Sequence, residues 1–310
     1  MKHLFIVNPV AGGHDATEDI RGLVRTAFLA REDAFEVYVT SAPHDATEKI
    51  RREAASCGEL RVYACGGDGT FNECVSGAAL LPNVAVCPFP TGTGNDFCRT
   101  FGPDAELFRN LDALLEGTVR PIDLISCNGS YSVNICSVGI DARIGTDVHK
   151  YSRLPIVGGA GGYIISAIVN ACKGIATEMH VRCGDYDAED KFSLICACNG
   201  RFYGGGFNPS PMAKLDDGLL EIYIVKRVSL FTFARCIGKY ASGHADDFPQ
   251  LITHLRGTEL RIDFQQENVI NLDGEALRAS TVEMKLLPKA VNLIVPKGLG
   301  NSATLPPISL

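Results

Sequence analysis

One carboxylate, Asp68, stands among three glycines at residues 66–69, directly after the apolar run at residues 60–65. Glycines can adopt positive φ angles and leave backbone N–H groups open to a phosphate, while an aspartate can bind a metal ion or accept a hydroxyl proton. This combination of residues indicates phosphoryl transfer. A strand-to-helix turn that needs glycine only for packing is the alternative interpretation of the same loop.

A second glycine-rich loop, Pro90-Thr91-Gly92-Thr93-Gly94-Asn95-Asp96, follows the apolar run at residues 84–87. In an open parallel sheet, ligands bind at the carboxyl ends of neighbouring strands, so the two loops are expected to line one pocket. The chain has no Walker-type phosphate loop, no complete dinucleotide fingerprint and no H-R-D catalytic loop. Walker ATPases, ordinary dehydrogenases and protein kinases are therefore poor fits.

The elements before residue 118 alternate between strand-like and helical patterns. Apolar runs at residues 4–7 and 35–40 are each followed by a helical pattern that opens with His-Asp-Ala-Thr-Glu, at His14 and again at His44. The Asp and Glu of this repeat have capping-box spacing, so we interpret it as helix capping used twice. The alternation predicts an α/β domain with a parallel sheet.

From residue 122 onward, short apolar runs are separated by turn residues, which predicts a mainly β domain, a sandwich. A chain of 310 residues exceeds the length of roughly 250–300 at which single cores stop growing. We therefore expect two domains with a cleft between them: residues 1–121, joined by the C-terminal segment near 296–310, and residues 122–295.

Composition limits the classes of protein further. A net charge of −7 argues against general nucleic-acid binding. The apolar run at the N-terminus is too short for a secretory signal. The 12 scattered cysteines are expected to be reduced thiols of a cytoplasmic protein. The glycine-flanked apolar stretch at residues 158–173 has two interpretations that stay open, a core helix or a segment that contacts lipid.

Six motifs, in this order, resemble those of the soluble bacterial diacylglycerol kinase family, which is related to sphingosine and ceramide kinases. The motifs are residues 8–12, 66–73, 90–96, 138–141, 215–220 and 273–275. The Gly-Gly-Asp-Gly element alone is shared with NAD kinases and, more distantly, with phosphofructokinases. One departure is Thr91, where members of the family usually carry an apolar residue.

The resemblance implies an ATP-dependent kinase that phosphorylates the hydroxyl of diacylglycerol or a similar lipid alcohol to a phosphatidic acid-type product. The implied fold is an NAD kinase/diacylglycerol kinase-like α/β domain followed by a β-sandwich that holds the lipid. Glu275 would be the catalytic base, and Asp68 and Asp96 would help to hold Mg²⁺. The nucleotide site would comprise Asn8, Pro9, Val10, Ala11, Gly12, Thr40, Gly66, Gly67, Asp68, Gly69, Thr70, Phe71, Asn72 and Thr93.

A separate structural magnesium is also implied, bound by the Asp217 carboxylate and the backbone carbonyls of Lys214 and Leu219. The implied enzyme is peripheral to the inner face of the membrane, takes its lipid there, and has no nucleic-acid partner; a homodimer is left open. Two rival functions are an NAD kinase-like phosphotransferase and a non-catalytic lipid-binding protein. The second loop and the Asp273-Gly274-Glu275 triplet favour the lipid enzyme.

Overall fold

The computed structural model describes residues 1–92, 95–140, 142 and 175–299. The described residues divide into two compact units, which we call the N-terminal unit (Met1–Leu124 and residues 288–299) and the β-rich unit (Ile125–Leu287). Several sequence-based expectations lie outside the described residues: the nucleotide contact of Thr93, the motif residues Gly94 and Asp141, the apolar stretch at 158–173 and residues 300–310 of the expected C-terminal segment.

The N-terminal unit is built on parallel strands. Its strands are β1 (Lys2–Val7), β2 (Ala34–Val39), β3 (Leu60–Gly66) and β4 (Val84–Pro90). They pair in the order β2-β1-β3-β4, and Asn292 and Leu293 of a later strand pair with β4 in the same direction. Strands β1, β3 and β4 are apolar and almost completely buried, as expected for a parallel sheet that is covered on both faces.

Helices connect these strands. They are α1 (Thr17–Ala27), α2 (Asp45–Ala54), α3 (Asp68–Ala78), α4 (Asp96–Arg99) and α5 (Leu111–Leu115), with 3₁₀ turns at Ala11–Gly13 and Gly102–Arg109. Helix α1 buries Ile20 and Val24, which lie one turn apart on the face toward the core.

The two predicted capping boxes are wrong in detail. At α1 the residue in the N-cap position is Ala16, and the Asp15 carboxylate accepts the Thr17 N–H at 2.9 Å. At α2, the Asp45 carboxylate turns back to the preceding loop, where it accepts the Ser41 N–H at 2.8 Å. Both carboxylates still stabilise a helix entrance, because an aspartate can bond to backbone N–H groups two or more residues away on either side.

The β-rich unit consists mainly of long antiparallel strands. Its strands are β5 (Thr118–Cys127, which begins in the N-terminal unit), β6 (Ser130–Ser132), β7 (Ile135–Gly139), β8 (Thr177–Cys183), β9 (Tyr186–Cys198), β10 (Leu220–Lys226), β11 (Ile252–Gly257), β12 (Glu259–Leu272) and β13 (Glu275–Val295, which ends in the N-terminal unit). One helix, α6 (Leu230–Ala241), lies between β10 and β11 and is followed by a 3₁₀ turn at Ala245–Asp247.

Strands β9 and β12 are long enough to pair with different neighbours at their two ends. Strand β9 pairs with β8 over Tyr186–Phe192 and with β7 over Leu194–Cys198. Strand β12 pairs with the same two strands, β8 near its start and β7 near its end. The circuit β9-β7-β12-β8 therefore closes around a core of hydrophobic side chains. Among the helices of the described ranges, none is long and apolar enough to cross a bilayer.

Candidate active site

Three loops meet at the carboxyl ends of adjacent strands in the N-terminal unit. They follow β1, β3 and β4, and β3 lies between the other two strands. The N–H groups of Thr91 and Gly92 both donate to the Gly66 carbonyl at 3.0 Å, and the Asn8 N–H donates to the Cys65 carbonyl at 3.1 Å. The two glycine-rich loops predicted from the sequence to line one pocket are therefore hydrogen-bonded neighbours.

Glycine is required where these loops touch. A Cβ atom on Gly92 would lie 2.7 Å from both Cα and N of Gly67, and one on Gly12 would lie 2.5 Å from the Thr91 carbonyl oxygen. Gly12 also has a φ angle of +74°, which side chains rarely adopt. The loops can approach this closely only as bare backbone, and such a surface of peptide groups is suited to phosphate oxygens.

Polar side chains of the predicted nucleotide site hold the first loop in place. Asn8 donates through Nδ2 to Thr70 Oγ1 at 3.1 Å and accepts the Val10 N–H on Oδ1, also at 3.1 Å. Thr40 follows directly after β2, and its N–H donates to the Val7 carbonyl at 2.9 Å. Val10 is 83% exposed, so the tip of the loop after β1 is open to a ligand.

The Asp68 carboxylate joins the second loop to the third. Its Oδ2 accepts the Asp96 N–H at 3.0 Å and its Oδ1 accepts the Phe97 N–H at 3.3 Å, so it caps the first turn of α4. Burial raises the pKa of the Asp68 carboxyl above its ordinary value, against the effect of these two donors. Asp96 is buried and forms an ion pair with Arg99 at 3.1 Å.

Two residues predicted to contact nucleotide, Phe71 and Asn72, are buried in α3. The ring of Phe71 packs against that of Phe97, with centroids 4.6 Å apart. The contact fixes α3 against α4 behind the loops. Gly69 and Thr70 lie in the first turn of α3, where backbone N–H groups have no partner within the helix and are available to an anion.

Glu275 lies in the β-rich unit, at the first position of β13, where its side chain is exposed. The two residues before it, Asp273 and Gly274, form a two-residue hairpin turn between the paired residues Leu272 and Glu275. Both turn residues have positive φ angles, 49° and 98°, as a type I′ turn requires. The Asn271 side chain accepts the Gly274 N–H at 2.9 Å, which fixes the turn immediately before Glu275.

Asp273 holds this turn through backbone hydrogen bonds that the sequence did not predict. Its carboxylate accepts the backbone N–H groups of Val133 at 2.7 Å, Ile135 at 2.8 Å and Asn134 at 3.1 Å. These donors lie where the strand-like run at residues 131–135 is interrupted, between β6 and β7. Burial raises the pKa of Asp273 to about 6, although the three donors favour the charged form.

In this structure the Asp217 carboxylate of the implied structural magnesium site has other partners. Asp217 Oδ2 forms an ion pair with Arg256 Nη2 at 2.9 Å, and its Oδ1 accepts the Leu219 N–H at 3.2 Å. Arg256 also binds the buried carboxylate of Glu221 at 2.9 Å. A guanidinium has no lone pair for a metal and repels a second cation, whereas Mg²⁺ needs an octahedral shell of oxygens.

Comparison with known proteins covers both units. Residues 2–127 match the family described as the diacylglycerol kinase catalytic domain, and residues 134–295 match the YegS C-terminal NAD kinase beta sandwich-like domain. A protein of Pseudomonas aeruginosa named "Probable lipid kinase YegS-like" is 30% identical over 281 residues, which cover 89% of this chain and 90% of that protein. The chain belongs to the diacylglycerol kinase catalytic domain family.

Two further proteins are similar to this chain, one in sequence and one in fold. The diacylglycerol kinase of Bacillus subtilis is 29% identical over 266 residues, covering 84% of this chain and 85% of that protein. A crystal structure from Bacillus anthracis, assigned as a diacylglycerol kinase, superposes with a TM-score of 0.75 at 27% identity, covering 96% and 98% of the two chains. The sequence-based identification of the family is thus confirmed.

Sequence reasoning missed two residues of the candidate site. The motif at residues 273–275 gave Asp273 no role of its own, although an Asp-Gly pair between two apolar runs is a recognised signal for a hairpin turn. Arg256 had no signal at all, because its carboxylate partner Asp217 lies 39 residues earlier in the chain.

Proposed function

We propose that the protein is an ATP-dependent lipid kinase that transfers the γ-phosphoryl group of ATP to the hydroxyl of diacylglycerol or a similar lipid alcohol. The observation that carries the proposal is the junction of three glycine loops in the N-terminal unit, where neighbouring backbone atoms leave no room for a Cβ on Gly12 or Gly92. The family relationship supports the same function, since relatives are named lipid kinase and diacylglycerol kinase.

The N-terminal unit would bind the phosphates of ATP on backbone N–H groups of the loops and of the first turn of α3. Asp68 and Asp96 lie beside these groups and would hold the magnesium ion that accompanies ATP, with Asp96 exchanging its ion pair with Arg99 for the metal. Although Asp68 already accepts two N–H groups, a carboxylate has about four lone-pair sites and can bind a further ligand. Magnesium bound to ATP neutralises charge on the phosphates.

Glu275 would be the general base in the β-rich unit. A neutral lipid hydroxyl must lose its proton as its oxygen attacks phosphorus, and a carboxylate can accept that proton. Glu275 is exposed and follows a turn that is held by Asp273 and Asn271, so its backbone position is well determined.

The enzyme would work at the inner face of the membrane, because a lipid with two acyl chains stays in the bilayer and the protein must reach it there. Its product would be the phosphate monoester of the acceptor lipid, phosphatidic acid when the acceptor is diacylglycerol.

Purified protein with labelled ATP tests the proposal on a panel of acceptors: dispersed diacylglycerol, a monoacylglycerol, a sphingoid base and NAD. We expect label in a lipid phosphate and none in NADP. Labelling of NAD would favour an NAD kinase-like phosphotransferase. Absence of transfer to every acceptor, with lipid binding retained, would favour the non-catalytic lipid-binding protein.

A further inference from the structure

Helix α6 leaves two large apolar side chains in solvent. Leu230 is 50% exposed and Phe231 is 77% exposed. Of the twelve residues of the helix, all of which the structure describes, Tyr240 alone is buried. The exposed positions include 230, 231, 234, 235 and 238, which form one continuous face of the helix.

The opposite face keeps α6 in place. Phe233 and Ile237 pack with the buried Tyr240 against the core of the β-rich unit. Ser229 caps the helix, accepting the Thr232 N–H on its Oγ at 3.1 Å. The helix is therefore formed and attached through its inner face, so the exposure of Leu230 and Phe231 does not result from a frayed end.

The stretch of sequence that contains α6 is more basic than the chain as a whole. Residues 222–245 contain four basic side chains, Lys226, Arg227, Arg235 and Lys239, and no acidic one, whereas the whole chain has a net charge of −7. Lys239 forms an ion pair with Asp247 at 2.7 Å. Arg235 lies on the same exposed face as Phe231, and Lys226 and Arg227 precede the helix. We call Lys226, Arg227, Leu230, Phe231 and Arg235 the α6 patch.

We propose that the α6 patch docks the protein on anionic phospholipid bilayers. Leu230 and Phe231 would insert at the boundary between head groups and acyl chains, while the three basic side chains contact lipid phosphates. A second copy of this chain is a poorer occupant, because a two-fold contact through the patch would bring like charges together. The inference rests on the proposed function, which requires a membrane-resident substrate.

Sedimentation with vesicles of phosphatidylcholine, alone or mixed with an equal amount of phosphatidylglycerol, tests the proposal without ATP or turnover. We expect roughly tenfold or stronger partitioning onto the anionic vesicles, weakened by high salt. The double variant Leu230→Ala/Phe231→Ala should lose about tenfold or more of this binding, because it removes most of the inserted apolar surface. Lys226→Gln/Arg227→Gln should lose the preference for anionic lipid.

Leu29→Ala is the matched control, because Leu29 is 85% exposed and lies outside the patch; its binding should equal that of the wild type. Thermal melting confirms that each variant is folded. Equal vesicle binding by wild type and the Leu230→Ala/Phe231→Ala variant would overturn the proposal, as would equal binding to both kinds of vesicle. A change in oligomeric state without a change in vesicle binding would also overturn it and assign the patch to a contact between chains.

Kinase assays in detergent micelles separate this proposal from the proposed function. We expect the patch variants to phosphorylate micellar diacylglycerol at the wild-type rate, since no residue of the patch belongs to the candidate active site. If no acceptor is phosphorylated but vesicle binding follows the pattern above, the proposed function fails and the docking surface stands.

Discussion

Asp68 Oδ2 accepts the backbone N–H of Asp96 at 3.0 Å, so the carboxylate of one glycine-rich loop holds the first turn of the helix that follows the other. The residue with the strongest sequence signal for chemistry therefore also has a structural task. The same two carboxylate oxygens accept these hydrogen bonds and carry the charge proposed for catalysis. A variant that removes the charge but keeps an acceptor is therefore needed to tell the two roles apart.

The first prediction separates these two tasks. Asp68→Ala removes both acceptors and should lower the free energy of unfolding by about 1–2 kcal/mol, as the loss of a helix cap does. Asp68→Asn keeps one acceptor and should be intermediate in stability. Both variants should lose about 10²–10³-fold in turnover, because the negative charge is absent in each. Urea unfolding and initial rates at saturating ATP measure the two effects; wild-type turnover in Asp68→Asn would restrict Asp68 to a structural task.

The second prediction concerns the contact between the glycine loops. Gly92→Ala places a Cβ atom 2.7 Å from the Gly67 backbone, so we expect the loops to separate, at a cost of about 1–3 kcal/mol. The KM for ATP should rise by about tenfold or more. Gly22→Ala is the control, since nothing lies within 4 Å of a Cβ at that helical position. It should keep the KM and gain up to about 1 kcal/mol in stability.

The third prediction concerns the proposed base. Glu275→Gln should reduce turnover by about 10²–10⁴-fold, because an amide cannot accept the proton of the lipid hydroxyl. The melting temperature should not change, since Glu275 is exposed and the turn is held by its neighbours. Glu267→Gln, at an exposed position of the neighbouring strand β12, should keep full activity. More than about a tenth of wild-type turnover in Glu275→Gln would remove that residue from the role of base.

The fourth prediction concerns the pairing of Asp217 with Arg256. Arg256→Gln should lower stability by about 1–2 kcal/mol, because two carboxylates, one of them buried, lose a charged donor. Without nucleotide, millimolar Mg²⁺ should leave the wild-type melting temperature unchanged, since a ligand stabilises a protein only if it binds the native state. A magnesium-dependent rise in the melting temperature that disappears in Asp217→Asn would instead establish the structural magnesium implied by the family resemblance.

The fifth prediction is a pH dependence at Asp273. Its pKa is about 6 in the folded protein and 3.8 in the unfolded reference, so between these values the folded state retains a proton that the unfolded state has lost. Stability from this group is therefore greatest at low pH, falls as the pH rises from about 4 to about 6, and is level above. Asp273→Asn lacks this titration, so the wild-type melting temperature should fall relative to that of the variant over this range. A rise in the wild-type melting temperature relative to that of the variant would show that the three N–H donors outweigh burial in setting the pKa of Asp273.

The sequence predicted most elements of the N-terminal unit, because local signals specify them. Apolar runs define β1, β3 and β4, and glycines mark the loops that follow β3 and β4. In the β-rich unit the prediction was poorer. Residues 260–264 and 269–272 are two separate strand-like runs in the sequence, but both belong to β12. Polar residues between them resemble a turn in the sequence, but in the structure the pairing of β12 with β13 only shifts register there, between Asp263 and Asn268, and the strand continues.

The sequence by itself determined the order of the motifs, the family and the residue types available for chemistry, because these depend on neighbours along the chain. Tertiary structure decided which of those groups form hydrogen bonds or ion pairs within the protein. Asp68 binds N–H groups 28 and 29 residues away, and Asp273 binds backbone 138–140 residues away. Such contacts depend on how strands pair and loops close, and sequence spacing does not encode those distances. The position of Arg256 beside Asp217, and the exposure of Phe231 on α6, were decided in the same way.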